Sequence, residues 1–390
     1  MARITDIDTC VLKAPEYPHG GWVLVRVRTE DHVEGLGECF VPDRAGSGAV
    51  ATRGIVDRLK EVAVGRDALD TAAIWEEVYQ LCVRLYDRRG LAIHALSGID
   101  MAICDAAARS LGVPLCQLLG GCFRDEVAVY VSSVWVDVDR PGQTLTDTER
   151  YVEEGYRAIK YYGWPGFGSA PRRDASLLLK LRSRAGEGVD LMLDLGRPTS
   201  LSEAIQTARL IESSGAGIRW WEEPLSSADD ADNLAELTAR TDVTIAAGES
   251  ELTSFAFRDL IEGRRVDLIQ PDLSWVGGVT EGRRIAELAR LHNVPLVPHN
   301  WGTAINFAAS IHLVAAMPQG YLCEYPVTPR TWGQGAQPGG EEYGPSPMMV
   351  ELVRNPVVIS RGRALVPKAP GLGIELESIH AEESSQTEPE

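Results

Sequence analysis

The chain has 390 residues, 44% hydrophobic and 24% charged, with 38 basic against 56 acidic side chains and a formal charge of −18. That composition supports a sizeable core and two domains, and the acidic balance argues against general binding of nucleic acid or of an anionic membrane. Seven cysteines without a CxxC pair, a start ("MARITDIDTC") without a signal-peptide core and no apolar run near the ~18 residues of a membrane span point to free thiols and a cytoplasmic home.

In chain order, "DTCVLKAP" and "GWVLVRVRT" read as strands joined by a turn-rich "EYPHGG", and "EGLGECF" reads as a third. From about 51 to 120 the pattern is helical. "GLAIHALSGIDMAICDAAARSLG" carries apolar residues at a spacing of three to four and ends on Gly112, ahead of Pro114. An α+β lobe over residues 1–125 is therefore expected, completed by a return of about 341–380. Between 126 and 340, eight short apolar runs alternate with helical stretches such as "TEGRRIAELARLHN". This predicts parallel βα units, either a closed barrel or an open doubly wound sheet. Residues 381–390 hold too little apolar material to pack and are expected to be disordered.

Each apolar run stops at a polar side chain: Lys160, Asp194, Glu222, Glu249, Asp272, His299 and Glu324, spaced by 23 to 34 residues. Taken singly, an acid after a strand is most often a solvated loop residue or a helix cap. Seven in register, on parallel strands, would gather at the carboxyl end of a barrel, where barrel enzymes place their catalytic groups. An open sheet would spread them along a line. Asp194, Glu222 and Glu249 lie on three neighbouring strands and repel one another without a cation. Oxygen donors alone suit Mg²⁺, and the Cys and His clustering of a zinc site is missing. In "RWWEEPL" the adjacent Glu222 and Glu223 must face opposite ways, so one is expected to be a ligand and the other to bond behind the strand.

On these motifs the chain resembles the enolase superfamily, and within it the mandelate racemase subgroup. "IKYY", "LDLG", "WWEEPL", "AAGES", "QPDLSWVGGVTE", "VPHNWGTAINFAASIHL" and "LCEYP" carry the resemblance. It implies an α/β fold in which an α+β N-terminal capping domain covers a modified (β/α)7β barrel. It implies Asp194, Glu222 and Glu249 as Mg²⁺ ligands, an Asp272–His299 dyad, Lys160 beside the substrate carboxylate and Glu324 as a further acid. The shared step is removal of a proton next to a carboxylate, and the superfamily is itself a standard instance of a lysine or histidine base acting beside Mg²⁺. Relatives are commonly dimers or octamers, so a homo-oligomer is expected.

Two departures from the family pattern shape the expected reaction. Tyr162 stands where the family has the second lysine of Lys-x-Lys, and a phenol with an ordinary pKa of about 10 is a poor second base. This favours a reaction that His299 completes alone, the dehydration of a sugar acid to a 2-keto-3-deoxy acid in carbohydrate catabolism. A racemase, epimerase or cycloisomerase of the same superfamily is the alternative, and an inactive binding barrel a remote one. Gly196 replaces an asparagine, and Arg197 could reach an anionic end of the substrate. Lid loops over 16–22 and 40–48 would set specificity, with His19, Trp22 and Arg44 as candidates for substrate binding. His94 and His312 are expected to pack or to face solvent.

Overall fold

The computed structural model describes residues 2–12, 21–41, 47–196, 200–225, 230–329 and 343–377. Strands β1 (Ile4–Leu12), β2 (Gly21–Thr29) and β3 (Glu34–Val41) form an antiparallel sheet in that order. Helices α1 (Ser47–Leu59), α2 (Thr71–Leu85) and α3 (Leu91–Ser110) share one buried core with this sheet. Gly37 of β3 lies so close to α3 that a Cβ there would sit 2.1 Å from the Gly98 carbonyl oxygen, an approach only glycine allows. By length and composition α3 could cross a membrane, but 89% of its apolar window is buried inside the protein.

A short α4 (Leu115–Leu118) leads into the second layer. There β4 (Glu126–Trp135), β5 (Ala158–Tyr162), β6 (Asp190–Asp194), β7 (Ile218–Glu222), β8 (Ile245–Ala247) and β9 (Leu268–Ile269) pair in sequence, all parallel. Helices α5 (Gly142–Glu153), α6 (Pro171–Ala185), α7 (Leu201–Ser214), α8 (Ala231–Thr238), α9 (Thr253–Glu262), α10 (Gly278–His292) and α11 (Ala304–Ala316) separate the runs. The eighth strand, β10 (Leu322–Pro329), returns to pair with β4 in parallel. The seventh run, "PLVPHN", makes only two isolated bridges, Ile269 to Leu296 and Asp272 to His299. Pro295 and Pro298 lack the N–H groups that a regular ladder needs.

Packing shows that the ring closes. Tyr130, Ala158, Met192, Trp220, Ala246, Leu268, Val297 and Leu322, one from each of the eight runs, form a single buried cluster. This is the side-chain layer that fills a barrel interior. The barrel on an α+β cap is therefore what the chain builds. Among the described residues no barrel helix follows β10. Instead β11 (Tyr343–Pro345) folds back on it, followed by α12 (Pro347–Val350). Strands β12 (Ile359–Ser360) and β13 (Arg363–Leu365) then make a hairpin whose second strand pairs antiparallel with β4. Further on, Leu372 N donates to Asp105 on α3 at 2.6 Å and Arg109 holds the Ile374 carbonyl, so the segment around these two residues returns to the cap. Residues 381–390, expected to be disordered, lie outside the described residues.

One expectation is corrected. Not all seven cysteines are free thiols: Cys116 and Cys122 form a disulfide, with Cα atoms 5.4 Å apart. A spacing of six residues bridges here because Gly120 and Gly121 both adopt positive φ and turn the chain back on α4. Cys39, Cys82, Cys104 and Cys323 remain buried free thiols.

Candidate active site

Side chains two residues apart on a strand share a face. Stepping two residues from each member of the apolar layer gives Ser132, Lys160, Asp194, Glu222, Gly248, Gln270, His299 and Glu324. The barrel thus carries a polar, heavily charged layer directly above an apolar one, at the carboxyl ends of its strands. Among the described parts of this layer Lys160, Glu222, Gln270 and Glu324 are almost wholly buried.

His299 Nδ1 lies 2.7 Å from Asp272 Oδ2. The other oxygen of Asp272 accepts from Ser274 N at 2.8 Å, Ser274 Oγ at 2.6 Å and Asn306 Nδ2 at 3.1 Å. A carboxylate so saturated must accept from His299, which fixes Nδ1–H and leaves Nε2 turned to the cavity. Nε2 is 3.5 Å from Glu249 Oε2. Burial alone would depress the imidazole, but Glu249, Glu324 and Asp272 outweigh it and raise His299 to about 10.

Lys160 Nζ pairs with Glu222 Oε1 and, at 2.8 Å, with Glu324 Oε1. Glu222 Oε2 accepts from Gln270 Nε2 at 2.7 Å and Trp220 Nε1 at 3.2 Å. Glu324 also accepts from Ser132 Oγ and, at 2.8 Å, from Asn300 N. Burial, then Glu222 and Glu249, hold the Asp194 carboxyl up at about 8 although Lys160 opposes them. Negative charge is in excess at this rim. Among the described residues, however, no three carboxylate, imidazole or thiol groups are drawn together as a metal cluster. Glu222 is instead turned onto Lys160 and Gln270.

Glu223 faces away from Glu222, as strand parity requires. At φ 45° it accepts from Gly248 N at 2.7 Å and Glu249 N at 3.3 Å, so it fixes the backbone that carries Glu249. Tyr162 is 41% exposed at the rim and meets Trp135 edge-on at 5.6 Å. Behind it lies a cavity of about 690 Å³ lined by Trp164, Phe167, Leu195, Gly196 and Thr207 among others. Trp22 is buried and stacks on Phe40, which stacks on Trp275, whose ring is 5.9 Å from His299. His94 packs on the other part of this stack, at 5.4 Å from Trp275, and bonds the Phe40 carbonyl. His19, Arg44 and Arg197 lie outside the described residues.

Several polar partners escaped the sequence reading: Ser132, Gln270, Asn300, Asn306 and the cap's Glu38. Gln270 and Ser132 were within reach, because each sits two residues beyond a barrel-filling position. The others act across the fold and leave no local signal.

Residues 17–120 match the mandelate racemase / muconate lactonizing enzyme N-terminal domain, and residues 143–379 match the enolase C-terminal domain-like family. A D-galactarolactone cycloisomerase of Agrobacterium fabrum is 31% identical over 91% of this chain and 88% of its own. A D-xylonate dehydratase of Haloferax volcanii is 31% identical over 100% of this chain and 90% of its own. The crystal structure of the 3,6-anhydro-D-galactonate cycloisomerase from Zobellia galactanivorans superposes with a TM-score of 0.81 at 27% identity, over 98% of this chain and 99% of that one.

Proposed function

The chain belongs to the mandelate racemase / muconate lactonizing enzyme family of the enolase superfamily, and on that premise we propose that it is a hydro-lyase of sugar acids. The observation that carries the reading is the asymmetry of the rim. A histidine with its orienting carboxylate stands on one side, and Tyr162 stands where a second amine base would be.

The negative charge that raises His299, that of Glu249 first, would be offset by bound Mg²⁺, and the neutral imidazole then takes the α-proton at Nε2 while Asp272 holds the tautomer and stabilises the imidazolium. The electron pair left on the α-carbon spreads into the substrate carboxylate, which faces Lys160. The bond from the β-carbon to its hydroxyl then breaks, and the imidazolium returns its proton to the departing oxygen as water. The enol that remains tautomerises to a 2-keto-3-deoxy acid. Glu324, held by Ser132, Asn300 and Lys160, stands beside the substrate carboxylate and donates a hydrogen bond to it when it carries a proton. Tyr162, protonated at neutral pH, donates to a substrate hydroxyl.

The donor set fits Mg²⁺, because Asp194, Glu222 and Glu249 offer only oxygen and their mutual repulsion calls for a hard cation. Bound there, Mg²⁺ would supply positive charge against the charge growing on the substrate carboxylate.

The test is a panel of five- and six-carbon aldonates and aldarates with Mg²⁺, run beside His299→Asn. A 2-keto acid lighter by one water is the expected product. A product of equal mass would move the assignment to cycloisomerase or epimerase, the reading favoured by the 31% identity to a lactone cycloisomerase. Full activity of His299→Asn would remove the base.

A further inference from the structure

Two arms of the site, Asp272–His299 and Asn300–Glu324, meet at one amide. Asn306, fully buried in the first turn of α11, donates from Nδ2 to Asp272 Oδ1 at 3.1 Å and to Asn300 Oδ1 at 2.9 Å. Both targets are acceptors, so the amide has one workable orientation and both of its hydrogens are used. Asn300 in turn gives its backbone N–H to Glu324 Oε2 at 2.8 Å. A displacement of Asn306 therefore moves the base and Glu324 together.

What fixes Asn306 comes from the other domain. Glu38 of β3, buried without exposure, reaches the start of α11. It accepts from Thr303 N at 3.0 Å, from Thr303 Oγ1 and from Asn306 N at 3.3 Å. A carboxylate against the free N–H groups at a helix start is favourable in charge and in hydrogen bonding. The approach is close enough that a Cβ on Gly302 would lie 2.2 Å from Glu38 Oε1. The chain spends a buried acid and a glycine on this one contact, next to the dyad rather than at the rim of the interface.

We propose that Asn306 and Glu38 are positioning residues for catalysis: Asn306 holds the His299 and Glu324 arms in one frame, and Glu38 ties that frame to the docked cap. The inference rests on the proposed roles of His299 and Glu324. It ties the geometry of the proton transfer to cap docking through a path separate from the lid loops.

The experiment measures kcat and KM for Asn306→Leu, Glu38→Gln and the double variant, with Mg²⁺ and the acid best turned over in the panel, beside wild type and His299→Asn. Rates are normalised to folded protein by near-ultraviolet circular dichroism. Asn306→Leu should lower kcat about tenfold or more with KM within about twofold, the pattern of a lost transition-state arrangement. Glu38→Gln should lower kcat less, and the double variant should be no slower than Asn306→Leu, because residues on one path do not add. Unchanged kcat in Asn306→Leu, or losses that multiply, would overturn the proposal while His299→Asn remained dead. Asn306→Ala replaces the leucine variant if that one does not fold. A fully active His299→Asn, or no turnover by wild type, would instead sink the functional reading and this inference with it.

Discussion

Two layers of the same barrel, set two residues apart on the same strands, are built from opposite chemistries. The lower one is Tyr130, Ala158, Met192, Trp220, Ala246, Leu268, Val297 and Leu322, a dry plug. The upper one is Lys160, Asp194, Glu222, Gln270, His299 and Glu324 with their partners, where buried like charges push Asp194 up to about 8. The plug gives the barrel its packing. The charged layer works against folding and is tolerated only because the plug and the helices hold the strands in place. Position along a strand thus separates what keeps this protein folded from what lets it react.

The comparison breaks most visibly at its two extremes. His299→Asn should lower kcat about a thousandfold through loss of the base, with no loss of melting temperature in metal-free protein. Met192→Ala, two residues below Asp194, should do the reverse. It should cost about 2–5 kcal/mol in urea unfolding through the cavity it leaves, with little change in kcat for the fraction that remains folded. Equal damage to activity and stability from both variants would erase the distinction between the layers.

Magnesium sharpens the comparison at smaller scale. A cation bound only by the folded charged layer raises stability by mass action, about 2.7 kcal/mol at a hundred times its dissociation constant. Thermal unfolding with and without Mg²⁺ should show this shift in wild type and lose it in Glu222→Gln. A shift retained in full by Glu222→Gln would place the ion elsewhere.

Much of the upper layer was legible because charge interrupts apolar runs, and a stop is a strong local signal. Lys160, Asp194, Glu222, Asp272, His299 and Glu324 were all readable this way. The neutral members were not. Gln270 ends a run without a charge and Ser132 is followed by a second serine in β4, so only counting two residues from a barrel-filling position finds them. The irregularity of the seventh strand is invisible in the sequence pattern, which counts apolar residues and does not count the N–H groups that Pro295 and Pro298 remove. The Cys116–Cys122 bridge depends on a Gly120–Gly121 reversal that periodicity cannot see. Glu38 was read only as part of a strand; its partner helix lies 265 residues away in sequence.

The smallest effect separates two histidines as the layers separate side chains. His299, among carboxylates, is raised; His312, in the packing between α11, α4 and the C-terminal segment, is lowered by burial to about 4. Its Nδ1 accepts from Cys116 N at 3.3 Å and its Nε2 donates to the Leu372 carbonyl at 3.2 Å, an arrangement that requires the neutral ring. Between the unfolded value of 6.5 and about 4 the unfolded chain binds the extra proton. The stability from His312 is therefore complete above pH 6.5 and lost as pH falls, by about 1.4 kcal/mol per unit. The whole-protein curve hides this, because burial raises Glu38 and Asp100 to about 7, and those groups gain stability over the same range as pH falls. The difference between wild type and His312→Gln removes the common carboxylates. Plotted from pH 7 to 4.5, the stability advantage of wild type should shrink as acid is added. A difference that stays flat across that window would mean that His312 is charged in the folded protein, and that its two backbone partners do not hold it as described.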